Sequence, residues 1–182
     1  DYKAINPEFG NLEDFKNLVD TAHDNGIYVI VDWVPNHTGW DHLWITEHPE
    51  YYTKNDKGEI TDPIQDNGEP WGWTDVADLN YDNQEMRRAM IDEMKFWITE
   101  QNVDGFRCDV AHGVPLDFWE QSIPALRENK ALFIAFNTQP VIKQMLDRLY
   151  VQRDASYHAL RQSLESDIAA ADSISAIDKI GE

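Results

Sequence analysis

The chain has 182 residues, 42% of them hydrophobic, enough for a sizeable core, and no apolar run long enough to span a membrane. Its formal net charge of −19, from 34 acidic and 15 basic residues, would repel nucleic acid or an anionic membrane surface and favours a neutral ligand. A single cysteine, Cys108, excludes an internal disulfide.

In chain order, helix and strand patterns alternate as in a parallel α/β protein. Asn11 can cap a helix carrying Phe15, Leu18, Val19 and Ala22 on one face, and Asn25-Gly26 stops it before a buried apolar strand over 27–33. That strand ends in Asp32, and Asn36-His37 follow it. From Thr38 to Asp82 runs a segment rich in Gly, Pro, Asn and Asp, far longer than an ordinary connection, so a functional role is expected for it. Met86, Met90, Met94, Trp97 and Ile98 then repeat at helical spacing over 84–101, a stripe expected to pack against a sheet. A second strand covers 103–109. Pro115 to Asn129 reads as a helix interrupted near Pro124, and 131–136 reads as a third strand.

The second strand, Val103-Asp104-Gly105-Phe106-Arg107-Cys108-Asp109, carries two opposite charges two residues apart, and such residues share a face. A guanidinium beside a carboxylate favours the ionised form that a nucleophile requires. An ordinary ion pair at a strand end is the alternative, since structural pairs have the same composition.

Taken with Ile27 to Thr38, this run resembles the conserved regions of glycoside hydrolase family 13, the alpha-amylase family. Asp1-Tyr2 with Ile5-Asn6-Pro7-Glu8-Phe9-Gly10, and Ala77-Asp78-Leu79-Asn80-Tyr81-Asp82-Asn83, are two further matches in order. The resemblance spans about residues 1–136. It implies a partial (β/α)8 barrel, with these strands as the third, fourth and fifth, over 1–37 and 83–140. A B-domain-like insertion fills 38–82, and a helical tail unlike the family fills 141–182. Asp1 falls inside a motif, so a longer parent chain is expected.

The roles implied are those of a retaining α-glucan hydrolase acting on α-1,4 bonds of starch or maltodextrin, with cyclomaltodextrinase, neopullulanase and oligo-1,6-glucosidase activities sharing the same motifs. Asp109 matches the nucleophile and Arg107 the arginine beside it. Asp32, His37, His112 and Tyr2 match substrate-binding positions, His37 as a hydrogen-bond donor to the sugar. Asn36 matches a position that binds structural calcium, although it offers one oxygen where six to eight are needed, and the usual second ligand is matched by Asn80. Of the aromatic residues of 38–82, most are expected to form the insertion's own core and one or two to meet the flat face of a sugar. The resemblance suggests an exported protein, periplasmic or extracellular.

The position of the family's acid/base glutamate is Asn137, whose amide cannot transfer a proton near neutral pH, and the fourth conserved region has no counterpart. Weak or absent turnover is expected, as is self-association through an open barrel. The competing reading is a non-catalytic glucan-binding, structural or chimeric remnant.

Overall fold

Asn11 begins the first helix as its side chain predicts. Its Oδ1 accepts from the N–H groups of Glu13 and Asp14, and the Asp14 carboxylate accepts from Asn11 N–H in return, closing a capping box. Helix α1 runs over Leu12–Asp24 and stops where Gly26 turns left-handed at φ 70°. The computed structural model describes residues 1–136 apart from 66, 67, 129 and 131, all within one compact unit, Asp1–Asn137. Asn137 and the tail over 141–182 lie outside the described residues.

Strand β1 covers Ile30–Trp33, shorter than the expected 27–33. Val29 is instead held at both ends by one residue, its N–H donating to Asp104 Oδ2 while Asp104 N–H donates to its carbonyl. The strand is also less buried than its apolar sequence implied. Tyr28 is 69% and Ile30 45% exposed, because among the described residues β1 has a neighbour on one side only.

Strands β2 (His37–Gly39) and β3 (Val76–Asp78) pair antiparallel, with His37 opposite Asp78. Between them lie the short helix α2 (Trp44–Glu47) and a 3-10 turn over Pro49–Tyr51. Trp44, Tyr51, Tyr52, Leu79 and Tyr81 of this segment are buried, Trp44 against both Tyr51 and Tyr2, and Tyr81 against Phe118.

Helix α3 (Gln84–Thr99), capped by Asn83, buries Met86, Met90, Met94, Trp97 and Ile98, the whole predicted stripe. Strand β4 (Gly105–Cys108) follows, then helix α4 (Leu116–Arg127) and strand β5 (Phe133–Phe136). Helix α4 is continuous through Pro124, contrary to the expected interruption. A helical proline lacks one N–H donor, and the loss of that single backbone bond does not end the helix. Phe118, Trp119 and Leu126 remain on one buried face.

The three strands β1, β4 and β5 form one parallel sheet in the order β1-β4-β5, with Asp32 beside Arg107 and Trp33 beside Cys108. A clasp closes its amino-terminal end. Asp104, buried just before β4, holds Lys130 Nζ at 2.8 Å and His23 Nε2 at 2.7 Å. Burial pushes the Asp104 carboxyl up, but these bonds with that from Val29 N–H hold it below the ordinary carboxylate value.

Candidate active site

The carboxyl ends of β1 and β4 bring three of the expected residues together. Arg107 Nη1 lies 2.8 Å from Asp32 Oδ2 and 3.0 Å from Asp109 Oδ1, so one guanidinium nitrogen holds both carboxylates. The parallel register sets Asp32 beside Arg107, and the Asp109 N–H continues the ladder by donating to Trp33 O at 2.8 Å. All three side chains reach solvent, as a substrate would need, with Asp109 the least exposed. Cys108 between them is no rival nucleophile, because burial pushes its thiol up to about 12.

The chain after Asp109 turns abruptly. Val110 sits in the left-handed region at φ 48°, ψ 33°, a conformation that a β-branched residue rarely adopts, and Ala111–Gly113 form a 3-10 turn directly after it. Gly113 then passes against Asn36 so closely that a Cβ there would stand 2.2 Å from Asn36 Oδ1.

Asn36 is buried, with Oδ1 toward Gly113 and Nδ2 3.2 Å from His37 Nδ1. An amide N–H donating to Nδ1 leaves the imidazole proton on Nε2, free to donate outward. Burial lowers the His37 pKa, and the opposing pull of Asp109 and Asp75 does not restore it, so the ring favours its neutral form. Asn36 thus positions His37.

Asn80 Oδ1 accepts from Asp82 N–H, and among the described residues no group of three or more His, Cys, Asp or Glu side chains could hold a metal.

Tyr2 lies beneath the strand end. Its hydroxyl donates toward Val34 O and His37 O, at 3.0 and 3.3 Å, and its ring packs on Trp33, His42 and Trp44. Burial pushes its phenol well above the ordinary value, and its visible part is support for the loop that carries His37. His112 is exposed on the 3-10 turn, edge-on to Trp71 at 6.0 Å. Gly113, Val110 and Asp75 were not singled out in the sequence. Only Gly113 carried a local signal, as a small residue directly after His112.

The arginine-bridged carboxylate pair lies at the carboxyl ends of parallel strands, where parallel α/β folds carry their sites. The family model for the alpha-amylase catalytic domain matches residues 1–159, and the chain belongs to that family. It is 35% identical to alpha-amylase 3 of Dictyoglomus thermophilum, over 61% of this chain and 25% of the relative. It is 32% identical to the oligo-1,6-glucosidase of Heyndrickxia coagulans, over 68% of this chain and 27% of the relative. Among solved structures, a noncanonic maltogenic alpha-amylase from Thermotoga neapolitana superposes with a TM-score of 0.70 at 38% identity, covering 79% of this chain and 33% of that one. The chain therefore spans about a quarter of the length of these curated relatives. The family match reaches past residue 136, where the sequence motifs ended.

Proposed function

We propose that the chain carries the nucleophilic half of a retaining α-glucan hydrolase site, built to act on α-1,4-linked glucose. The observation that supports this reading is the Asp32–Arg107–Asp109 bridge at adjacent strand ends. Arg107 fixes Asp109 and offsets the repulsion between the two carboxylates, so Asp109 presents an anionic oxygen to an anomeric carbon. Asp32 and the Nε2–H of neutral His37 hold sugar hydroxyls, and His112 meets the substrate from the turn that follows Asp109. Choice of the α-1,4 bond follows the amylases among the relatives, whereas the oligo-1,6-glucosidase shows that the same family serves another linkage.

The step that Asp109 can perform alone is glycosylation of itself by a substrate whose leaving group needs no proton. With α-glucosyl fluoride, an Asp109 oxygen attacks the anomeric carbon, the C–F pair leaves as fluoride, and a β-glucosyl ester remains. Hydrolysing that ester needs a base to deprotonate water. Asn137, at the position where the family resemblance expects glutamate, cannot provide it, so the ester accumulates. The purified chain is expected to gain one glucosyl unit by mass spectrometry, and Asp109→Asn none. An unmodified wild type, or an adduct that persists in Asp109→Asn, would overturn the assignment.

A further inference from the structure

A series of ring contacts leads outward from His37. Trp73 meets His37 edge-on at 5.7 Å, Trp71 stacks on Trp73 at 5.2 Å and 26°, and His112 meets the edge of Trp71. In a strand, residues two apart share a face but point in parallel and seldom stack their rings. Here Gly72 at φ 77°, a value that strains any other residue, turns the backbone between the two indoles. The turn is fastened on both sides, by Trp71 N–H to Pro63 O at 2.8 Å and by Trp40 Nε1–H to Thr74 O at 3.0 Å.

Trp73 is half-buried and Trp71 is 41% exposed. One face of Trp71 is thus covered by Trp73, and the remaining exposure is a flat, rigid aromatic surface beside the carboxylate site. Exposed indole in contact with His112 and, through Trp73, with His37 is apolar area withheld from the core, and it marks a contact surface.

We propose that the open face of Trp71 is a stacking platform for a glucosyl ring further along the glucan from the one attacked by Asp109, and that it makes the site sensitive to chain length. This rests on the reading of Asp109 given above. The chemistry suits a pyranose, whose axial C–H groups present an apolar face to the indole while its equatorial hydroxyls reach polar groups at the rim such as His112. The net charge of −19 disfavours the other common stacking ligands, polyanionic nucleotides and nucleic acids. Trp73 intervenes between Trp71 and His37, so the sugar on Trp71 is a different unit from the one beside Asp109.

The test is calorimetric titration of the full chain with maltose and with maltoheptaose, for wild type, Trp71→Ala and Trp71→Phe. Wild type is expected to bind the longer sugar more tightly. Trp71→Ala loses about fivefold on maltoheptaose and little on maltose, while Trp71→Phe keeps most of the preference. Equal loss on both sugars, no loss on either, or no preference in wild type overturns the platform. The fluoride adduct, followed in the same variants, reports the nucleophile separately. An adduct with an unchanged length preference in Trp71→Ala removes the platform alone, and a Trp71-dependent preference without an adduct removes the nucleophile alone.

Discussion

Asp78 and His42 titrate in opposite senses, and the signs can be worked out. Burial, with a contribution from Asp62 and against a hydrogen bond from Thr53, raises the Asp78 carboxyl from 3.8 to about 6. Between those values the folded chain keeps a proton that the unfolded chain has released, so stability falls as pH rises from about 4 to about 6 and then levels. Burial lowers His42 from 6.5 to about 4, so its contribution is lost as pH falls through that range. The two slopes partly cancel in the wild type. Asp78→Asn isolates one of them: relative to wild type it should gain on the order of 2 kcal/mol at pH 7 and nothing below pH 4, read from urea midpoints at each pH. At this scale the sequence disclosed Arg107 with Asp109, because strand geometry fixes where residues two apart point. It could not disclose Asn36 against Gly113, since that contact joins segments 77 positions apart through two turns whose geometry has no periodic pattern.

Helix α3 was legible throughout because its apolar stripe is long and its cap, Asn83, is explicit. Helix α1 was legible in its ends but not in its packing. Leu18 shares the predicted apolar face, yet it is 56% exposed while neighbouring Val19 is fully buried, since a helical pattern says which residues share a face and not what stands opposite. The difference is measurable. Met94→Ala, in a fully buried position, should cost about 2–5 kcal/mol, whereas Leu18→Ala should change stability by less than about 0.5 kcal/mol, both from denaturant unfolding. Pro124 gave the opposite lesson. Proline raises the energy of a helix interior without forbidding it, and the apolar face made by Phe118, Trp119 and Leu126 keeps α4 whole.

For the molecule as a whole, the three-stranded sheet is a part of the barrel that its family implies. Parallel sense followed from the alternation of helix and strand, and strand order from the barrel that the family resemblance implies, whereas exposure did not, because an apolar strand reads as buried whether or not its neighbour exists. Among the described residues β1 has a neighbour on one side only, with Ile27 and Ile30 exposed near it, and the self-association expected from the sequence would use that side. Sedimentation velocity over a hundredfold range of concentration is expected to show association in the wild type and less of it in Ile30→Lys. A wild type that stays monomeric throughout would remove this surface from consideration.

Val110 gives the site an evolutionary tension. A valine held left-handed costs on the order of 1–3 kcal/mol, which glycine would largely recover. Glycine would also loosen the turn that aims Asp109 and presents His112. Persistence of the fold favours glycine at this one codon and rigid placement of Asp109 and His112 favours valine, so the two demands pull it apart.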